Sequence, residues 1–233
     1  MKLESVVKYH CPRSASPSVV SSPCSPDDIS GTDIMAALGM ALKRAPLGYS
    51  AFCGKMNLSH HDKERTVRLL TAIGVNRSVF YPALRKLVDS ERLAVVRVLA
   101  NYAFLDYARS PDTELPCHAC NSTGWKKGKR CTKCGGKGVM RAACKDCKGR
   151  GHSVHRQKTQ MQGVPVYQHC QRCAGRGFER IASAVVFRAV CQVSEAISQD
   201  TWNKSVKQLL SVLISELYRE EAWAEKHLSV ITK

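Results

Sequence analysis

The chain has 233 residues, of which 44% are hydrophobic and 24% are charged, and these ordinary proportions argue against a largely disordered protein. Its 36 Lys and Arg outnumber its 19 Asp and Glu, which gives a formal charge of +17 and favours polyanionic partners. The longest apolar stretch, residues 93–105, contains Arg97 and Asn101, and residues 1–13 lack a signal-peptide pattern. We therefore expect neither a membrane span nor secretion.

Helices are predicted on both sides of a central segment. After an irregular segment rich in Ser and Pro, residues 1–29, apolar residues recur at helical spacing. Gly74 is expected to end the second helix, and Ser90 to cap the fourth. The predicted helices cover residues 30–45, 59–73, 82–88, 90–109, 181–193 and 199–226.

Residues 111–180 have a different composition from the helical ends. Pro111 and Pro116 mark the boundary, and the residues that follow are rich in Gly, Lys and Cys, with little aliphatic periodicity. Such a stretch cannot form an apolar core of its own. We predict a mainly α fold in which residues 30–110 and 181–233 form a helical bundle, interrupted by an insert with short β-hairpins.

The insert contains eight of the twelve cysteines, arranged as four Cys-x-x-Cys knuckles. Two intervening residues allow a tight turn to direct both sulfurs at one ion, and two knuckles complete a tetrahedral zinc site with four thiolate ligands. Such a site has no open coordination position and is structural, not catalytic. The predicted ligands of two Zn²⁺ ions are Cys117, Cys120, Cys131, Cys134, Cys144, Cys147, Cys170 and Cys173.

Glycines follow the knuckles at fixed positions. In three knuckles, Gly is the second and fourth residue after the last Cys, where a positive φ is expected, whereas the first knuckle has Ser122 and Gly124. This repeat resembles the cysteine-rich region of DnaJ-type chaperones, and the resemblance implies nested pairing, first knuckle with fourth and second with third. The residues themselves equally allow pairing of neighbours. No His-Pro-Asp tripeptide occurs, so chaperone activity does not follow.

Histidines beside the knuckles are not expected to be ligands, because eight cysteines already fill two tetrahedral sites. These histidines are His118, His152, His155 and His169. The other cysteines, Cys11, Cys24, Cys53 and Cys191, lack partners at metal spacing, and Cys191 is expected in the core.

Basic residues are dense between residues 126 and 158, where Asp146 is the only acid. This density favours phosphate contacts. The alternative is that the charges offset the negative zinc–thiolate sites and solvate the surface. The residues include Lys126, Lys127, Lys129, Arg130, Lys133, Lys137, Arg141, Lys145, Lys148, Arg150 and Arg156.

The last two predicted helices are separated by a short polar turn around Ser198 and fit a helix–turn–helix. Trp202 lies on the apolar face of the second helix and is therefore expected in the core, not against a base. The face consists of Trp202, Val206, Leu209, Leu210, Leu213 and Leu217.

The opposite face of that helix is polar and basic, as a DNA-reading surface requires. An acidic run, Glu216, Glu220, Glu221 and Glu225, would repel phosphates, so this surface should end before it. The predicted DNA contacts are Arg188, Thr201, Asn203, Lys204, Lys207 and Gln208.

Short segments that together span nearly the whole chain carry a further resemblance. They are LESV at 3–6, SGTD at 30–33, MAA at 35–37, GMA at 39–41, AFCGK at 51–55, DY at 106–107, RS at 109–110, AS at 182–183, RAV at 188–190, TW at 201–202 and VK at 206–207. Together these segments resemble the lambda-type phage late-gene antitermination protein family, the Q proteins.

The resemblance implies a transcription antitermination factor that binds late-promoter DNA, loads onto paused host RNA polymerase and promotes readthrough of terminators. The implied partners are promoter DNA, the polymerase with its sigma factor and, as a further candidate, nascent RNA at the exit channel, all in the bacterial host cytoplasm. The resemblance implies that the protein restricts the formation of RNA hairpins at the exit channel and catalyses no covalent reaction. No paired carboxylates, nucleophile motif or phosphate loop points to catalysis. We therefore do not expect an enzyme.

The chain departs from this family in having two pairs of knuckles where the lambda protein has one. The spacing from Cys144 to Cys170 resembles that of the lambda pair, whereas the approach from Asp106 to Cys117 resembles the lead-in to its first knuckle. The extra pair is thus nested inside the shared site or placed before it. The alternative function is a DnaJ-like zinc module that binds protein or peptide, with binding insensitive to salt.

Overall fold

The computed structural model describes residues 2–4 and 31–231. Most of the predicted irregular segment, including Cys11 and Cys24, lies outside the described residues. The chain divides into two units. The first unit, which we call the helical body, consists of residues 2–4, 31–108 and 182–231. The second unit, which we call the cysteine unit, consists of residues 109–181.

Helices form the helical body, and short antiparallel strands occur in the cysteine unit, so the predicted mainly α fold is confirmed. In chain order the elements are α1 (Gly31–Arg44), α2 (Pro46–Lys55), α3 (His60–Ser78), α4 (Pro82–Arg85), α5 (Asp89–Tyr107), β1 (Glu114–Pro116), β2 (Trp125–Lys126), β3 (Lys129–Arg130), β4 (Val139–Arg141), β5 (His152–Val154), α6 (Arg156–Gln162), β6 (Tyr167–His169), α7 (Ser183–Cys191), α8 (Gln199–Thr201), a π-helical segment (Trp202–Val206) and α9 (Lys207–Ile231).

Several predicted helix boundaries are wrong: α4 ends at Arg85 and not at residue 88, and α9 continues past residue 226 to Ile231. Gly74 does not end α3, which continues to Ser78; a Cβ at this position would lie 2.6 Å from Val96 Cγ1, so the glycine allows close packing on α5. Ser90 does not cap α5, because Val88 occupies the cap position and Ser90 lies in the first turn.

Helix α2 is absent from the sequence prediction. Residues 47–53 are all buried, so the helix has no polar face and no helical alternation of apolar and polar residues. Pro46 at its first turn and the glycines Gly48 and Gly54 resemble turn signals when read alone. Packing on all sides stabilises this helix, and such packing leaves no periodic signal.

The core of the helical body forms around α9, which packs against α2 and α5. The predicted apolar face of this helix is buried, with Leu209, Leu213 and Leu217 fully enclosed. Each fully buried leucine contributes about 1.5–3 kcal/mol to folding. Leu70 of α3 and Leu99 of α5 are equally buried and complete the central layer.

The acidic run on α9 pairs with cations of the helical body. Glu221 accepts from Lys55 Nζ at 3.1 Å, and the buried Glu216 accepts from Arg77 Nη2 at 3.1 Å. Arg219 also donates to Glu216. These carboxylates therefore connect α9 to α2 and α3 and are largely neutralised within the unit.

The cysteine unit contains three two-stranded antiparallel pairings: β1 with β4, β2 with β3 and β5 with β6. Apart from the eight cysteines, Ala142 and Phe178 are its only buried hydrophobic residues, and the structure describes every residue of this unit. The prediction of short β-hairpins without an apolar core is confirmed. Across the described ranges, no helix combines the length and apolar composition needed to cross a membrane.

Gly48 provides a test of the packing between α2 and α9. A Cβ at Gly48 would lie 1.9 Å from the backbone oxygen of Glu220, which cannot move aside as a side chain can. We expect Gly48→Ala to lower the free energy of unfolding by about 1–3 kcal/mol or more. Urea unfolding followed by circular dichroism at 222 nm measures this change.

Gly39 is the matched control, because a Cβ there meets no atom within 4 Å. Gly39→Ala should raise stability by about 0.5–1 kcal/mol, since alanine restricts the unfolded chain and favours the helix. A Gly48→Ala protein as stable as the unsubstituted chain would contradict the close approach of the two helices.

Candidate functional site: paired tetracysteine groups and a helix–turn–helix

The first tetracysteine group is formed by the first and second knuckles. Its four side chains are buried, and their sulfurs lie within 4.8 Å of one another. The Sγ atoms of Cys117 and Cys131 are 3.9 Å apart, and those of Cys120 and Cys134 are 3.7 Å apart. Strand β1 leads into Cys117 and β3 leads into Cys131, so the strands set the directions from which the knuckles meet.

The second tetracysteine group has the same geometry and is formed by the third and fourth knuckles. Its four cysteines are also buried and mutually within 4.8 Å. The Sγ atoms of Cys144 and Cys170 are 3.9 Å apart, and those of Cys147 and Cys173 are 3.7 Å apart. The two groups are thus repeats of one structure.

These distances fit a tetrahedral metal ion. With metal–sulfur bonds near 2.3 Å, tetrahedral geometry places the sulfurs about 3.8 Å apart, whereas a disulfide requires about 2.05 Å. Four sulfurs complete the coordination shell, which leaves no position for a reacting molecule. Both groups can therefore hold a metal ion in a closed, structural site.

Reciprocal backbone hydrogen bonds join the two knuckles of each group. In the first group, the Cys117 amide donates to the Gly138 oxygen at 2.9 Å, and the Cys131 amide donates to the Gly124 oxygen at 2.8 Å. The last glycine of each knuckle thus accepts from the first cysteine of its partner. The second group repeats the pattern, with Cys144 donating to Gly177 at 2.8 Å and Cys170 donating to Gly151 at 2.9 Å.

This pairing explains the glycines that follow each knuckle. A Cβ at Gly124 would lie 2.3 Å from the Gly136 oxygen, and one at Gly138 would lie 2.2 Å from the Ser122 oxygen. Gly124 and Gly138 have φ values of +77° and +73°, and the expected positive φ is confirmed. Ser122 adopts φ +64° without the freedom of a glycine, which costs about 1–2 kcal/mol.

Backbone amides also contact the sulfurs. The Gly124 amide donates to Cys120 Sγ at 3.3 Å, and the Gly151 and Gly177 amides donate to Cys147 and Cys173 at the same distance. In the first group, the Cys134 amide lowers the pKa of Cys131 to about 7, whereas burial raises the pKa of Cys120 to about 11. A bound cation favours the thiolate form of all four sulfurs.

The pairing of neighbours answers a question that the sequence left open. The first knuckle pairs with the second and the third with the fourth. The nested arrangement implied by the DnaJ resemblance is therefore wrong for this chain. Because each knuckle has the same local spacing, the choice depends on the loops and strands between knuckles.

The four histidines near the knuckles belong to neither tetracysteine group. His155 Nδ1 accepts from the Lys158 amide and caps α6, and His152 packs edge-on against Tyr167 with ring centroids 5.3 Å apart.

Cys191 is only half-buried, so its predicted core position holds in part. Cys53 is buried in the helical body, where burial, assisted by Asp62, raises its pKa to about 12.

Trp202 joins the two helices of the helix–turn–helix. Its Nε1 donates to Ser183 Oγ at 3.0 Å, and its ring lies 5.7 Å from that of Phe187. The indole is fully buried, as predicted. Ser198, in the turn, caps α8 by accepting from the Thr201 amide. A buried aromatic thus fixes α7 against the start of the next helix.

The predicted DNA contacts lie on this helix–turn–helix, and nearly all are exposed. Thr201 is half-buried, and Lys204 makes an exposed ion pair with Asp200 at 3.4 Å. Arg188 donates from Nε to the Ala184 oxygen in its own helix. The exposed members are Arg188, Asn203, Lys204, Lys207 and Gln208.

A π-helical segment at Trp202–Val206 is the feature of this region that sequence analysis missed. It widens the helix at the point where Asn203 and Lys204 project to solvent. π-Helical turns are rare and often occur at functional sites. A π-helical turn differs from an α-helix in its backbone hydrogen bonds, so the spacing of apolar residues in the sequence does not reveal this segment.

Together, these features define a helical, metal-binding protein with a helix–turn–helix that presents polar residues to solvent. A family model described as "Antitermination protein Q" matches residues 24–111 and 140–225. The antitermination protein Q of Salmonella phage P22 and that of Escherichia phage lambda are each 34% identical to this chain over 233 residues, which cover the whole of both chains. A prophage antitermination protein Q homolog of Escherichia coli strain K12 is 30% identical over 254 residues, again over both full lengths. The chain therefore belongs to the antitermination protein Q family, and the resemblance found in the sequence is confirmed.

The family match also distinguishes the two tetracysteine groups. The unmatched stretch between the two matched ranges, residues 112–139, contains the whole of the first group. The second group lies inside the matched residues. This is the arrangement expected if the extra pair of knuckles is placed before the shared pair.

Paired cysteine substitutions test the grouping of the knuckles. The double variant Cys117→Ser/Cys131→Ser should retain one metal ion, because both substitutions fall in the first group. The double variant Cys131→Ser/Cys144→Ser should lose both ions, because each group loses a ligand. Native mass spectrometry of protein loaded with Zn²⁺ gives the stoichiometry. Nested pairing predicts the reverse result for the two variants, and its observation would refute the grouping.

Proposed function

We propose that this phage transcription antitermination protein binds late-promoter DNA through its helix–turn–helix, then joins paused host RNA polymerase and its sigma factor, so that the polymerase reads through terminators. The observation that carries the proposal is the family match, which includes the whole helix–turn–helix and most of the helical body. The late-promoter site and the polymerase are the partners that such a role requires.

The exposed face around the π-helical segment supports the DNA contact. Asn203 and Gln208 carry amides that can bond to the edge of adenine, and Lys204 and Lys207 can contact guanine or phosphate. The ion pair between Lys204 and Asp200 is exposed and contributes little, so it does not prevent a phosphate contact. Burial of Trp202 on the opposite face holds this surface in place.

We also propose that the metal in both tetracysteine groups is zinc. Four thiolates at tetrahedral separations are the donor set that zinc prefers in structural sites. The eight cysteines would hold two ions, and the metal would maintain the fold of a unit that lacks an apolar core. A closed shell of four sulfurs supports a role without catalysis, and so the protein is proposed to act by binding alone.

Transcription through a terminator tests the proposal directly. With host polymerase, a cognate late promoter and an intrinsic terminator, the protein should increase the readthrough product. Lys204→Ala/Lys207→Ala should abolish most of this increase, because both cations lie on the proposed DNA face. Lys43→Ala/Lys63→Ala, at two exposed lysines on α1 and α3, is the matched control with the same loss of charge and should leave readthrough unchanged. Termination that stays the same with metal-loaded protein and the cognate promoter would refute the proposed function.

The salt dependence of duplex binding tests the DNA face separately. Each phosphate contact contributes about −0.9 to the slope of log K against log salt, so Lys207→Ala should reduce the slope by about 1. Asn203→Ala should instead reduce the preference for the promoter over a scrambled duplex by about 1–3 kcal/mol. Fluorescence anisotropy across a salt series measures both. If Asn203→Ala weakened the affinity for the promoter and for the scrambled duplex equally, Asn203 would be excluded as a base contact.

A further inference from the structure

The first tetracysteine group carries a short β-hairpin that the family match does not cover. Strands β2 and β3 pair with Trp125 opposite Arg130 and Lys126 opposite Lys129. The turn consists of Lys127 and Gly128, both with positive φ, at 51° and 72°. Two consecutive residues of positive φ are typical of the tight type I′ turn, which matches the twist of a two-stranded ribbon.

Both ends of this hairpin are fixed to the metal-binding knuckles. Gly124, directly before Trp125, donates to Cys120 Sγ and accepts from the amide of Cys131, the residue after β3. Thr123 Oγ1 contacts both the amide and the oxygen of Trp125, at 3.3 and 2.9 Å. The hairpin is therefore held by the tetracysteine group and presents its side chains from a rigid base.

The charged residues of the hairpin and its surroundings are all basic. The sequence from residue 115 to residue 145 contains no Asp or Glu. None of the first group's cations forms an ion pair with any residue in the described part of the chain. Those cations are Lys126, Lys127, Lys129, Arg130, Lys133 and Lys137. They exceed the two net negative charges of one zinc–thiolate site, so charge compensation does not account for them.

Trp125 is exposed on this ribbon, with 55% of its surface accessible. The core of the cysteine unit does not use it, whereas Trp202 is wholly buried in the helical body. Residues opposite each other in an antiparallel pair share a face, so Trp125 and Arg130 lie side by side, and Lys126 and Lys129 occupy the other face. A large aromatic ring beside a guanidinium is suited to stacking on a base while the cation contacts the adjoining phosphate.

We propose that this hairpin is a binding site for single-stranded nucleic acid, with Trp125 stacking on an unpaired base and the surrounding cations contacting the backbone. An unpaired base offers its face to an indole, whereas bases in a duplex are already stacked on one another. The site is separate from the helix–turn–helix in sequence and chemistry. It adds to the proposed duplex contact and does not depend on it.

Binding of short oligonucleotides to the full-length, zinc-loaded protein tests this site. The probes are a labelled 12-nucleotide oligo(U) RNA, the corresponding oligo(dT) and a 12-base-pair duplex of unrelated sequence. At least one of the two single strands should bind. The tighter of the two identifies whether the strand is RNA or unwound DNA. Because the helix–turn–helix can bind the duplex independently of the hairpin, it is the absence of binding to both single strands that would overturn the proposal.

Substitutions at the hairpin give the decisive comparison. Trp125→Ala should weaken single-strand binding by about ten-fold or more, the loss expected for one stacked base, while duplex binding stays unchanged. Trp125→Phe should restore part of the affinity. Lys126→Gln/Lys129→Gln should reduce the slope of log K against log salt by about 0.7 for each lost phosphate contact.

Trp223→Ala is the matched control, because Trp223 is similarly exposed, at 47%, but lies on α9 of the helical body. It should bind all three probes as the unsubstituted protein does. Native mass spectrometry should find two metal ions in every variant, which separates loss of the binding surface from loss of the fold. Unchanged single-strand affinity in metal-loaded Trp125→Ala would overturn the proposal and leave the duplex-binding role of the helix–turn–helix untouched.

Discussion

Four thiolates separated by roughly 3.8 Å repel one another strongly unless a cation lies among them. The cysteine unit depends on this constraint, because two buried apolar residues besides its cysteines cannot offset the entropy of ordering 73 residues. Coordination therefore takes the place of a hydrophobic core, and the reciprocal amide bonds between knuckles determine where the sulfurs meet. In the helical body the opposite holds, since leucines of α9 supply the stabilisation and the buried Glu216 is neutralised by arginines.

The two tetracysteine groups share the geometry of their knuckles, which we call the frame, and differ in the chain segments between the knuckles. Sulfur separations, amide-to-oxygen bonds and close glycine contacts recur in both groups with nearly equal values. Between its knuckles, however, the first group has the tight hairpin of β2 and β3, whereas the second has a longer arm with β5, α6 and β6. A frame stabilised by metal tolerates such variation, because loops outside the coordination shell contribute little to stability. Functional differences between the groups are therefore expected in these loops.

The parts of the structure that were predictable are those with a local, periodic signal. The amphipathic helices, the cysteine ligand set and the buried face containing Trp202 each follow from residue spacing within a few turns. Helix α2 and the continuation of α3 past Gly74 depend on contacts with distant residues, Glu220 and Val96, which no local pattern encodes. The pairing of knuckles was undetermined for the same reason: all four have identical spacing, and the choice arises from the chain between them. The π-helical segment depends on a shift of one residue in hydrogen bonding, which leaves composition unchanged.

In this chain of formal charge +17, some cations stabilise the fold and others are available to bind a polyanion, and the positions of the charges distinguish the two sets. Acidic residues of α9 are matched by Lys55 and Arg77, so these cations are committed to holding helices together. Lys207 and the cations of the hairpin have no ion-pair partner among the described residues and stay available to phosphates. Since an exposed cation gains most from a polyanion when no nearby carboxylate competes, the acid-free stretch from residue 115 to residue 145 maximises that gain. Coordination of a metal ion by the tetracysteine groups would make this arrangement possible, because it stabilises the unit without the carboxylates or apolar surface that would weaken binding to nucleic acid.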